Sequence, residues 1–133
     1  DPGTARWRQL SDNQPGGTNE QAAAPLARYA MGEARIGSHW YLFGGFGNEE
    51  GNSPQLNDLW QMDLNQGTWS LLQPHNRAKD VSRNATRPAV RRVPAMASSG
   101  QSVYLFGGLD LTSGTDERGP LIGFNDLWQG QTG

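Results

Sequence analysis

The chain has 133 residues and a net charge of −2, with a pI near 5.6, so it carries no basic footprint for nucleic acid or an anionic membrane surface. It contains no cysteine, which excludes disulfides, thiolate metal sites and cysteine nucleophiles. No apolar run approaches the roughly 20 residues needed to span a bilayer. The length suits one domain, and 18 glycines with 8 prolines suit many short strands joined by turns rather than long helices. No charged-then-apolar leader opens the chain, and the start at Asp1-Pro2-Gly3 is compatible with a processed or excised piece.

Residues 1–10 close on Ala5-Arg6-Trp7-Arg8-Gln9-Leu10, a short strand pattern, and residues 11–27 form a neutral polar link. The unit 28–73 follows. Tyr29-Ala30-Met31-Gly32 reads as an inner strand whose small side chains let sheets converge. His39-Trp40-Tyr41-Leu42-Phe43 reads as a strand buried on both faces and stopped by Gly44-Gly45. Leu59-Trp60-Gln61-Met62-Asp63-Leu64 is the third strand, Asn65-Gln66-Gly67 a hairpin turn, and Thr68-Trp69-Ser70-Leu71-Leu72 the fourth strand. Residues 74–92 make a basic link. The unit 93–133 repeats the plan with Pro94-Ala95-Met96-Ala97 as inner strand and Ser102-Val103-Tyr104-Leu105-Phe106 before Gly107-Gly108.

The repeat is literal. Tyr41-Leu42-Phe43-Gly44-Gly45 recurs as Tyr104-Leu105-Phe106-Gly107-Gly108, and Asn57-Asp58-Leu59-Trp60-Gln61 recurs as Asn125-Asp126-Leu127-Trp128-Gln129. Two ordered five-residue matches mean that one small unit, unable to bury its apolar face alone, has been copied. The second copy stops before a fourth strand, whereas residues 5–10 resemble residues 67–72. Asp58 to Trp69 is 11 residues, and Asp126 through the chain end to Trp7 is 14. The fourth strand of the second unit is therefore expected from the N-terminal segment 1–10, with Trp7 in the role of Trp69.

Strand, glycine pair, loop, Asn-Asp-Leu-Trp, turn, Trp and apolar pair, in this order, resemble the kelch repeat. The likeness covers most of 28–72 and 93–129, with Gly44, Gly45, Trp60, Trp69, Gly107, Gly108, Trp128 and Trp7 as its structural marks. It departs where Met62 and Gly130 stand at a position often held by Tyr. The resemblance implies an all-β fold of kelch-type β-propeller blades, each of four antiparallel strands, with two blades per chain. Two blades do not close a ring of about four to eight, so other copies of the chain or further sequence must complete it. The expected function is a non-enzymatic structural or binding module acting through self-assembly, as an oligomeric ring or an extracellular filament subunit. The alternatives are a fragment of an intracellular kelch adaptor that binds a protein, and a carbohydrate-binding propeller.

Two long loops at equivalent places, 46–56 and 109–124, are candidate binding surfaces for a protein or carbohydrate ligand. They carry Glu49, Glu50, Asp110, Asp116, Glu117 and Arg118. The plainer reading is a solvated polar rim. Trp40 beside Tyr41 offers an aromatic platform for a sugar, although alternation turns one of the two inward. Asp110 to Asp116 lacks the ligand spacing of a calcium loop. With His39 and His75 the only histidines, and no nucleophile or phosphate-loop motif, no catalytic residue and no cofactor are expected; a copper radical site of the kind some kelch propellers carry needs a cysteine. The link holds Arg77, Lys79, Arg83, Arg87, Arg91 and Arg92, six of the 11 cationic residues. These either dock on an acidic rim at Glu49, Glu50 or Glu117 or stay solvated. Asn84-Ala85-Thr86 is a glycosylation acceptor pattern.

Overall fold

The computed structural model describes residues 3–47, 55–76, 82–111 and 121–132, and among these it is all-β, with antiparallel sheets and no helix. The first sheet has five strands: β1 (Arg28–Tyr29), β2 (Gly32–Ile36), β3 (His39–Gly47), β4 (Gln55–Asp63) and β5 (Thr68–Gln73). β3 pairs with β2 and β1 on one side and with β4 on the other, and β5 closes the sheet against β4. The second sheet has three strands, β6 (Ala95–Ser99), β7 (Ser102–Phe106) and β10 (Leu127–Gln131), in the order β10-β7-β6. A short ribbon joins β8 (Leu109–Leu111) to β9 (Leu121–Gly123).

The strands obey their alternation. Trp40, Leu42, Trp60, Met62 and Trp69 share one face of the first sheet, since Trp40 pairs with Met62, Leu42 with Trp60 and Met62 with Trp69. Tyr41, Phe43 and Leu59 share the other. The tryptophan face packs as a cluster, with Trp40 to Trp69 ring centroids 5.9 Å apart and Trp60 to Trp69 6.3 Å edge to face. At the β4–β5 hairpin the Asp63 carboxylate accepts from the Asn65 and Gln66 amides at 2.9 and 3.0 Å, and Gly67 turns with φ +70°.

The inner strands lie later than the sequence suggests. β2 begins at Gly32 rather than Tyr29, because Ala30 takes φ +59° and breaks the strand after β1. Val93 repeats the break with φ +50°, and the amide of Val93 donates to the Ala30 carbonyl at 2.7 Å, tying one sheet to the other. The expected burial on both faces of the strands that run into the glycine pairs holds only for the first copy. Tyr41, Leu42 and Phe43 are buried, whereas Phe106 is 50% exposed. In the second sheet, Phe106 and Leu127 face outward with no described element over them.

The segment expected as a fourth strand does not act as one within the chain. Described residues 3–10 form no strand, and Trp7 is 98% exposed. The other edge of β10 has no strand beside it among the described residues.

Candidate functional site

Two residues that sequence reading passed over hold each repeat together. Arg28, at the start of β1, donates to both oxygens of Asp58 at 2.5 and 2.8 Å, to the Leu26 carbonyl at 2.9 Å and to the Gly44 carbonyl at 3.0 Å. The Trp60 indole donates to the same carboxylate at 2.8 Å. Arg91 does the same 63 residues later: both oxygens of Asp126 at 2.6 and 2.8 Å, the Ala89 carbonyl at 3.1 Å and the Gly107 carbonyl at 3.0 Å, with the Trp128 indole on Asp126 at 2.8 Å. A planar guanidinium forked on a carboxylate is the strong form of this contact. It clamps the residue that leads into the sheet to the third strand and to the first glycine of the pair.

The two clamps differ in exposure. The Arg28 and Asp58 side chains are 2% and 0% exposed, and Arg91 is fully buried, but Asp126 is 28% exposed. The hydrogen bonds from Arg91, helped by the Trp128 indole, hold the Asp126 carboxyl below its ordinary pKa against the opposing cost of burial. Arg91 also lies 4.1 Å from the centre of the Phe124 ring.

The first glycine pair is required by space. Gly44 has φ +62°, and a Cβ there would sit 2.8 Å from the Leu56 carbonyl oxygen and 3.0 Å from that of Arg91. That crowding comes from the inter-sheet link, in which the Arg91 amide donates to Leu56 at 3.1 Å and the Gly45 amide donates to Arg91 at 3.0 Å.

Asn57 is a second junction. It is fully buried, and its amide group donates to Asn76 at 2.7 Å and to the Pro88 carbonyl at 3.1 Å while accepting from the Asn76 backbone at 2.9 Å. Arg87 donates to the Asn57 carbonyl at 2.6 Å. Burial lowers the Arg87 pKa, with the charge of Asp58 opposing. Asn125, at the matching place in the second copy, is exposed.

The face of the second sheet that carries Val103, Leu105 and Trp128 looks toward Phe43, Leu59 and Leu72 of the first across a groove of about 430 Å³. The link residues Thr86, Arg87 and Pro88 form part of its wall. On the tryptophan face of the first sheet the corresponding stretch is the earlier link, with Ala24, Pro25 and Leu26 near Trp40, Leu42 and Trp69.

The expected binding residues fare unevenly. Asp110 is not a rim ligand: it sits on β8, 3% exposed, and accepts from the Gln55 side chain at 2.5 Å. Glu49, Glu50, Asp116, Glu117 and Arg118 lie outside the described residues, as do Arg77 and Lys79. The basic link is not a uniform docking strip. Arg91 is buried in its clamp, Arg87 is committed to Asn57, and Arg92 lies over Phe46 at 5.6 Å; Arg83 and Asn84 are exposed. His39 stands 3.9 Å from Asp63, half-exposed on β3. Trp40 packs against Trp69 instead of standing free as a platform. Among the described residues no cluster of three His, Asp or Glu side chains is placed to hold a metal, and no helix is long and apolar enough to cross a membrane.

No family model matches the chain. It is 31% identical over 105 residues to the leucine-zipper-like transcriptional regulator 1 homolog of Drosophila melanogaster, a match covering 79% of this chain and 10% of that protein. The chain thus spans about a tenth of the relative's length. Among solved structures it is similar to that of YjhT, with a TM-score of 0.50 and 23% identity over 68% of this chain and 24% of that one. This second likeness is one of fold.

Proposed function

We propose that the chain is two blades' worth of a kelch-like β-propeller, a non-enzymatic structural and binding module that works by associating with further sheets of the same kind. The observation that carries this reading is the duplicated clamp. Arg, Asp, Trp and glycine pair recur with the same hydrogen bonds in two sheets that face one another, as stacked units of one design do. Among the described residues no strand lies beside β10 as β5 lies beside β4, and Phe106 and Leu127 turn to solvent at 50% and 68% exposure. Sedimentation velocity with negative-stain imaging tests the reading. The expected result is a ring or filament heavier than one chain; a folded monomer of 14.5 kDa at micromolar concentration overturns it.

A second reading is a protein-binding adaptor propeller; the Drosophila relative is named as a transcriptional regulator. Assembly into a defined complex only with another protein, and never with itself, selects this reading over the first.

A further inference from the structure

We propose that Arg92, Tyr29 and Val93 form a surface that binds an acidic segment of another protein. A carboxylate of the partner forks on the Arg92 guanidinium, and an apolar side chain next to it lies on Tyr29 and Val93. The surface sits at the junction of the two described sheets, so it is the same whether or not copies of the chain associate.

Arg92 stands apart from its neighbours in the link. Arg91 forks on Asp126, and Arg87 donates to the Asn57 carbonyl. The Arg92 guanidinium has no acceptor among the described residues and lies 5.6 Å from the centre of the Phe46 ring. The same ring packs at 5.3 Å against Tyr29, which pairs with Phe46 across β1 and β3. Arg92 is half-buried, whereas Tyr29 and Val93 are 59% and 52% exposed. A guanidinium laid against an aromatic ring is weakly hydrated and keeps its planar set of donors. Those donors match the two oxygens of a carboxylate. A phosphate is ordinarily met by a cluster of arginines, and among the described residues Arg92 is alone over this ring.

The backbone beneath the surface is held in a costly shape. Val93 is β-branched, takes φ +50° and precedes Pro94, whose ring favours an extended residue before it. Ala30, at the matching place in the first sheet, takes φ +59°. The Val93 amide donates to the Ala30 carbonyl at 2.7 Å, and Arg92 exchanges two backbone hydrogen bonds with Leu109 at 2.9 and 3.0 Å. These bonds fix the spacing of Arg92 from Tyr29 across the two sheets. Strain that the surroundings hold in place collects at ligand sites, and a preset spacing lowers the ordering cost of binding.

A phage library of random heptapeptides, panned on the full-length chain and counter-panned on Arg92→Gln, tests the surface. Peptides kept by the parent alone should carry Asp or Glu beside a large apolar residue. One such peptide, labelled with fluorescein, should bind saturably in a polarisation assay and more weakly as salt rises. Its Kd should rise about tenfold or more in Arg92→Gln and in Tyr29→Ala, as loss of an anchor does. Arg83→Gln, which removes an exposed charge of the same link, should leave it unchanged. Arg92→Gln should melt with the parent, because the side chain gives up no hydrogen bond within the described residues. The proposal is overturned if no peptide survives the counter-panning, if the survivors lack acidic residues, or if Arg83→Gln weakens binding as much as Arg92→Gln. It is also overturned if Arg92→Gln and the pair Glu49→Gln with Glu50→Gln each lower the melting temperature and do so non-additively, which makes the acceptor the chain's own loop. Peptide binding by a chain that stays monomeric overturns self-assembly and leaves this surface standing.

Discussion

Replacing Arg28 by Met keeps the aliphatic stem and deletes the fork. Asp58, with a side chain 0% exposed, then keeps the Trp60 indole but loses both guanidinium bonds, and the carbonyls of Leu26 and Gly44 lose a donor each. Breaking a buried pair on one side typically costs about 3–5 kcal/mol, chiefly from the charge left behind. A domain of this length has roughly 7–20 kcal/mol in all, and such a loss lowers the melting temperature by roughly 10–20 °C. The matching Arg91→Met leaves Asp126, which is 28% exposed and can take water, so it should cost about half as much. Urea unfolding followed by tryptophan fluorescence, at one fixed protein concentration, separates the two. The double change Arg28→Met with Asp58→Leu should recover part of the loss, because no uncompensated charge remains. If Arg28→Met costs under about 1 kcal/mol, or the two arginines cost the same, the clamp is not what holds the strand to its sheet and the burial argument fails.

Three other outcomes follow from the same contacts. Gly44→Ala forces a side chain into a left-handed residue and onto two backbone oxygens at 2.8 and 3.0 Å, whereas at Gly107 the nearest atom is 3.4 Å away; thermal melts should show about 1 kcal/mol lost at Gly107 and at least twice that at Gly44. Asn57→Ala strands the Asn76 amide and the Pro88 carbonyl and should cost about 2 kcal/mol in urea titrations. Asn125→Ala, at an exposed place, should stay within about 0.5 kcal/mol of the parent. The pKa of Asp126 is lowered on folding, so its contribution is present above the ordinary carboxyl value of about 4 and is lost as pH falls through the lower folded value. Acid titration of stability should therefore be shallower below about pH 4 in Asp126→Asn than in the parent, and an unchanged slope would assign the acid sensitivity to other carboxylates.

Much of the sheet was legible because its signals are local. Thr68–Leu72 and the Asn65-Gln66-Gly67 turn needed only alternation and a glycine, and β5 and its hairpin lie there. The third strand reads short by four residues at its start, since β4 begins at Gln55, where Leu56 and Asn57 are buried by contacts remote in sequence. Asp110 was placed on a rim by the acidic and glycine-rich text around it, but its partner Gln55 comes from the other repeat. The clamp was within reach and was missed. Arg91 stood among five other cations and read as part of a basic link that docks on an acidic rim or stays solvated, and Arg28 stood alone. Setting the copies in register would have found both, since each arginine lies 16 residues before the first glycine of its pair and three after a proline, Pro25 or Pro88.

Identical words in the two repeats have unequal surroundings. Phe43 and Phe106 stand third in the same pentapeptide, yet one is 4% exposed and the other 50%. Asn57 and Asn125 open the same second phrase, yet one is the buried junction of the inter-sheet link and the other faces solvent. Propensity and local pattern are the same at each pair, so the difference comes from what lies across the face. Phe43 and Asn57 are covered by the second sheet and the link that leads to it, whereas no described element covers Phe106 and Asn125. The second sheet should therefore be the less stable of the two in a lone chain. Amide exchange in β7 and β10 should slow on association while that in β3 and β4 changes little, because the first sheet already has its neighbour. Equal protection of both sheets in a dilute, unassociated chain would mean that the second sheet needs no cover, and the asymmetry would then carry no information about assembly.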